Sequence, residues 1–144
     1  MVRAKQEQGF SMLELLMVVA IITIISVIAF PVLHRARQRA QAASAVQSLK
    51  VIGSGQLLYE RKYTVYGTFA QLASENILDV LIATGKKSDY LFTLTVGGNG
   101  KSYTVTAAPL VIVSESDFFF MDESGVIRFN KGSMADVTSP PIPR

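Results

Sequence analysis

Residues 15–33 of this 144-residue chain hold no charged side chain, and the apolar character already begins at Phe10. No other feature restricts the fold as strongly. A helix of 24 residues is roughly 36 Å long, enough to cross a hydrocarbon core of about 30 Å. Two competing readings fit less well. A cleavable secretory signal has an apolar run of about 7–15 residues ending at small side chains, whereas this run is longer and ends in Phe30-Pro31-Val32-Leu33. The core helix of a soluble domain shows a polar stripe, and here only Ser11, Glu14, Thr23 and Ser26 interrupt the apolar surface. Residues 10–33 are therefore expected to enter a membrane as a helix.

Composition sharpens this. Hydrophobic residues make up 49% of the chain and charged residues 17%, against about 25% charged in an average soluble domain. Set the apolar segment aside and one ordinary, moderately polar domain remains, which excludes a disordered chain and a multi-domain enzyme. There is no cysteine, so a disulfide scaffold and a thiolate metal site are excluded as well. A net charge of +3 does not point to nucleic acid unless the basic residues cluster.

Glu14 does not suit a plain anchor. An ionised carboxylate deep in a bilayer costs about 2.5–3.5 kcal/mol even on lenient scales. It needs either the headgroup zone or a positive partner. A partner arises if the hydrophilic leader Met1-Val2-Arg3-Ala4-Lys5-Gln6-Glu7-Gln8-Gly9 is removed. Cutting after Gly9 creates an α-amino group on Phe10, one helical turn before Glu14. On neighbouring, staggered helices that amine and the carboxylate neutralise each other.

Gly9-Phe10-Ser11-Met12-Leu13-Glu14-Leu15-Leu16, preceded by a short basic leader and followed by an unbroken apolar stretch, resembles the processing signal of type IV prepilins and their pseudopilin relatives. The resemblance covers roughly the first 55 residues closely and the remainder only in layout. It implies that a prepilin peptidase cuts between Gly9 and Phe10 and that Phe10 is N-methylated. It also implies that Glu14 serves assembly by meeting the N-terminus of an adjacent subunit. Pro31 falls where pilins commonly carry a helix-kinking proline, and it removes an N–H and crowds the carbonyl of Val27. Thr23 stands where many pilins have a helix-breaking glycine. Orientation divides the two lines of reasoning. Arg35, Arg37 and Arg39 after the span would place the following domain in the cytoplasm by charge bias, whereas the resemblance places the leader inside and the domain outside. The processing motif is the more specific signal.

Beyond residue 33 the pattern becomes amphipathic. Ala36, Ala40, Ala43, Val46 and Leu49 recur at three or four residues, predicting one helix from residue 10 to about 63, roughly 80 Å long, with a narrow small-residue face. Gly53 and Gly55 imply a bend or close packing there. Residues 64–89 read as a connecting region, with Thr68 and Gln71 as a capping box and Gly85 as a helix stop. A hairpin is expected from residues 90–96 and 102–107 around Gly97-Gly98-Asn99-Gly100. A second pair is expected from residues 118–121 and 126–129 around Asp122-Glu123-Ser124-Gly125, with Phe118 and Phe120 on one face and Phe119 on the other. Ser139-Pro140-Pro141-Ile142-Pro143 reads as a stiff tail without a strand. The expected fold class is α+β, a long N-terminal helix, membrane-spanning in its first half, packed on a four-stranded antiparallel sheet. The expected divisions are leader 1–9, filament-core helix 10–33, amphipathic helix 34–63, connection 64–89, sheet 90–130 and tail 131–144.

Sites with chemistry are few. Gly100-Lys101-Ser102 lacks the earlier glycine and the following helix of a phosphate loop. Asp117, Asp122 and Glu123 do not have the spacing of a standard calcium loop, and turn chemistry accounts for the latter pair. His34 is the sole histidine, so neither a histidine metal cluster nor an acid–base pair forms. Phe10, Phe30, Tyr59, Tyr63 and Tyr66 suit packing better than electron transfer. Lys86, Lys87 and Lys101, with Tyr90 and Tyr103, make only a thin case for DNA. The chain is expected to need no cofactor or metal and not to be an enzyme. It is expected to be a filament subunit that partners itself, a prepilin peptidase, an inner-membrane assembly platform and, before assembly, lipid. It would lie in the inner membrane as prepilin and on the cell surface after assembly. A pseudopilin of a type II secretion system shares the whole N-terminal reading, and a binding domain on an uncleaved signal anchor is the rival from another class.

Overall fold

The computed structural model describes residues 9–113 and 115–143; the leader up to residue 8 lies outside them. The chain divides into two compact units, one ending at Gln38 and one beginning at Arg39. Helix α1 (Met12–Tyr63) contributes to both.

In the first unit every residue of α1 up to Leu33 is exposed, including its isoleucines, leucines and valines. The stretch is long and apolar enough to cross a membrane. Its two hydroxyls are satisfied inside the helix: Thr23 Oγ1 donates to the Val19 carbonyl at 2.8 Å and Ser26 Oγ to that of Ile22 at 2.7 Å. Neither requires water, as a segment in hydrocarbon demands. The helical assignment continues through Pro31.

In the second unit α1 is followed by α2 (Phe69–Ser74), α3 (Val80–Ala83), β1 (Lys86–Lys87), β2 (Tyr90–Val96), β3 (Tyr103–Pro109), β4 (Asp117–Asp122) and β5 (Arg128–Lys131). The strands form one antiparallel sheet in chain order. The fold is thus α+β, a long N-terminal helix with an antiparallel sheet, but of five strands rather than four. The additional strand is the pair Lys86–Lys87. Two lysines offer no alternation to read, and their turn into β2 uses Ser88 and Asp89, both at positive φ, instead of an Asn-Gly pair. The predicted hairpin of β2 and β3 forms, with Thr93 opposite Thr106 and Val96 opposite Tyr103. The Thr68–Gln71 capping box also forms and starts α2.

The inner face of the sheet carries Tyr90, Phe92, Tyr103, Val105, Ala107, Phe119 and Met121, which pack with α1 residues Ala45, Leu49, Ile52 and Tyr59. This corrects the small-residue face expected of α1, because Ala36, Ala40 and Ala43 are exposed. Successive steps of three slip about 60° each around a helix, so a row anchored on alanines drifts off the face that Leu49, Ile52 and Tyr59 define. The glycines in α1 serve close approach rather than a bend. A Cβ on Gly53 would stand 3.2 Å from Met121 Cε, and one on Gly55 would stand 3.1 Å from Ile77 Cγ2. Gln56, fully buried, pairs twice with Gly67: its Nε2 donates to the Gly67 carbonyl at 2.7 Å and its Oε1 accepts the Gly67 N–H at 2.9 Å. A buried amide is tolerated only when bonded in this way.

Phe118 and Phe120 face the other side, where Ala135 covers them. The C-terminal segment holds no strand among its described residues, as expected, but it is tied to β5 by contacts the sequence did not reveal. The Phe129 N–H donates to the Pro140 carbonyl at 3.0 Å, Ile142 N–H to that of Ile127 at 3.0 Å, and Arg128 Nη1 to that of Ser139 at 3.0 Å. Arg128 and Pro141 form an antiparallel bridge. β5 accordingly begins two residues later than expected, since the Ile127 carbonyl bonds to the tail. The tail also shields an edge strand that would otherwise present unpaired backbone groups.

Candidate processing and assembly site

Gly9, Phe10 and Ser11 precede α1, and the first turn is closed by the Leu15 N–H donating to the Ser11 carbonyl at 3.1 Å. Among the described residues, none packs against position 9. A Cβ there would meet none of their atoms within 4 Å. A glycine that no packing among these residues demands suits recognition by another molecule. Phe10 is 73% exposed, although a phenyl ring in water is costly.

Glu14 lies in the first turn of α1, where the helix dipole favours a carboxylate. Among the described residues the ion pairs are Lys62–Glu75 and Lys131–Glu115, so Glu14 has no cationic partner among them. Further along, Ala29 among Ile25, Ile28, Val32 and Leu33 leaves a shallow apolar concavity beside Pro31. Small residues of this kind let helices approach closely in lipid.

The weaker candidates are dispersed. β4 holds Asp117 and Asp122 at its two ends, roughly 17 Å apart at the rise of a strand. Asp122 Oδ1 accepts from the Ser124 N–H at 3.0 Å and from its hydroxyl, which is turn chemistry. Lys86 and Lys87 pair with the start of β2, whereas Lys101 follows its far end and bonds through Nζ to the Thr64 carbonyl. About 20 Å of strand therefore separates these lysines. Tyr90 and Tyr103 are buried, and burial pushes both phenols up to about 12. Tyr90 donates its hydroxyl to the Asp117 carbonyl at 3.0 Å, so neither ring is presented to a base. Tyr59 packs over Gly67, where a Cβ would stand 3.0 Å from the ring.

Sequence reading missed three features: the Gln56–Gly67 pairing, the Asp136–Ser139 turn and the exposed run Leu110, Val111, Ile112 and Val113. Of these, only the last left a visible signal, four aliphatic residues in succession beyond a strand.

An exposed apolar N-terminal helix together with an α+β domain of antiparallel strands is a pilin-like layout. The model of the prokaryotic N-terminal methylation motif matches residues 4–30, and the chain thus carries the type IV prepilin signature. Over those residues the chain is similar to prepilins of the pilin–pseudopilin type. The motif implies processing by a prepilin peptidase, anchoring in a membrane and assembly into a polymer. No curated protein and no solved structure matches the chain.

Proposed function

We propose that the chain is the structural subunit of a type IV pilus, stored in the inner membrane as a prepilin and polymerised through its N-terminal helix into a filament displayed at the cell surface. The observation that carries this reading is the coincidence of the methylation motif at residues 4–30 with a helix that buries none of its apolar side chains up to Leu33. Hydrolysis between Gly9 and Phe10 frees an α-amine on Phe10, and methylation of that nitrogen leaves it able to carry a positive charge. In the filament the Phe10 amine of one subunit neutralises Glu14 of its neighbour. Lipid contacts are exchanged for helix contacts, so apolar burial changes little on assembly. Desolvation offsets most of the attraction of this pair, but a Glu14 left buried without its amine is costly, so the pair supplies register rather than net stability. Pro31 loosens the helix where neighbouring subunits crowd it. The assembly platform of the inner membrane draws subunits from the bilayer, with the leader inside and the domain outside.

The test is to shear surface filaments from cells and identify their main component. This chain as the main component, with filaments absent when the chain is deleted, is the expected result. Unchanged filaments with lost export of secreted enzymes would reassign the chain to a type II secretion pseudopilus.

A further inference from the structure

The connection between β3 and β4 carries Leu110, Val111, Ile112 and Val113 in succession, and all four are exposed, Val111 by 75%. Four consecutive exposed aliphatic residues on a folded domain mark a contact surface. Three contacts fix where this loop lies. The Leu110 N–H donates to the Asp89 carbonyl at 2.8 Å. The Asp89 carboxylate accepts from the Gln41 amide at 2.5 Å, and the Ser88 and Ser44 hydroxyls meet at 2.8 Å. The loop, the β1–β2 turn and the first residues that α1 gives to the domain therefore share one end of it.

Gln41 follows Leu33, the last residue of the apolar run, by eight residues. A chain of that length reaches at most about 28 Å even when fully extended. The end of the domain that bears the aliphatic loop is thus tethered near the bilayer, whatever path the intervening residues take. The charges agree with such a neighbour. Arg35, Arg37 and Arg39 lie in or next to the tether and are exposed, as are Lys86 and Lys87 on β1. Lys87 pairs with Tyr90, whose partner on the other side is Pro109, immediately before the loop. Of the acidic groups at this end, Asp89 is engaged by Gln41, Glu115 lies 3.9 Å from Lys131, and Asp117 is half-buried.

We propose that residues 110–113 insert into the interface of an anionic phospholipid bilayer while the subunit is stored before assembly, with Lys86 and Lys87 at the headgroup phosphates. Aliphatic side chains at the acyl boundary beside basic residues at the phosphates are the chemistry of interfacial anchoring. The inference rests on membrane insertion of the N-terminal helix, not on processing at Gly9. It gives the domain a second hold on the membrane, which extraction into a filament must release.

The absence of cysteine makes the test clean, because each substitution introduces the only thiol. Full-length Val111→Cys, Ile25→Cys and Ser124→Cys variants are labelled with an environment-sensitive fluorophore and reconstituted in phosphatidylethanolamine–phosphatidylglycerol vesicles containing spin-labelled lipid quenchers. Position 25 reports the span, and position 124 reports the β4–β5 turn at the opposite end of the sheet. The expected result is quenching at 25 and 111 but not at 124, with quenching at 111 reduced several-fold when Lys86 and Lys87 are both replaced by Glu. Quenching at 25 with a water-exposed label at 111 overturns this inference alone. No quenching at 25 overturns membrane insertion of the helix as well. Shielding at 111 that grows with protein density without lipid quenching overturns the inference in favour of a second copy of the chain.

Discussion

The first unit and the second treat the same kinds of side chain in opposite ways. Leu, Ile and Val between residues 10 and 33 are exposed throughout, whereas Leu49, Ile52, Leu72 and Val105 in the second unit are fully buried. The polar groups follow the same division. Thr23 and Ser26 bond only to their own helix, while Gln56 reaches across to Gly67 and the tail bonds to β5. The second unit is thus built on a core and a hydrogen-bonded edge, with the loop 110–113 as an exposed aliphatic run. The other exposes its apolar side chains throughout residues 10–33, where Glu14 is the single charged residue and, on the proposed function, the one a partner answers.

Substitutions that respect or violate this division should behave differently. The largest effect is expected from Gly9→Val, which meets no packed atom among the described residues yet should abolish leader removal; intact mass would then retain residues 1–9, and a normally shortened product would break the assignment of the cleavage site. Glu14→Ala should leave cleavage intact and lower filament yield by about tenfold or more if the proposed charge pair between subunits sets their register; wild-type yield in shearing assays would contradict it. In the second unit, Gln56→Ala strands the buried N–H and carbonyl of Gly67 and should cost about 2–4 kcal/mol of stability, measured by denaturant unfolding, without altering processing. Equal loss of processing would show that the two units are not independent.

The smallest effect concerns acid. Hydrogen bonds from Thr138 and Ser139 hold the Asp136 carboxyl below its usual range, and those from Lys62 and Tyr63 do the same for Glu75. A carboxylate depressed in the folded state stabilises it above the unfolded value, near pH 4, and loses that contribution as pH falls through the folded one. Protection of the Ser139 and Ile142 amides, measured as exchange relative to the intrinsic rate at each pH, should therefore fall on acidification, and Asp136→Asn should flatten that dependence. An unchanged profile in the variant would remove Asp136 from the account of the tail.

The first unit was legible in the sequence because its signals are local: a run without charge, one acid, and a glycine–phenylalanine step. In the second unit the alternation of residues 90–96, the Asn-Gly turn and the Thr68–Gln71 box also act over a few residues, and they were read correctly. What escaped depends on distant partners. Lys86 and Lys87 become a strand only because β2 lies beside them. Ile127 joins the tail because Ile142 returns to it. The burial of Gln56 is decided by Gly67, eleven residues away. Alanines misled for a related reason, having too little surface to fix which face of α1 the core selects.

The central claim is that the apolar segment becomes the start of the mature chain. N-terminal sequencing and mass spectrometry of the protein recovered from membranes and filaments test it most directly. The account predicts a chain beginning at N-methylated Phe10. A chain that still begins at Met1, or begins anywhere other than Phe10, would contradict it.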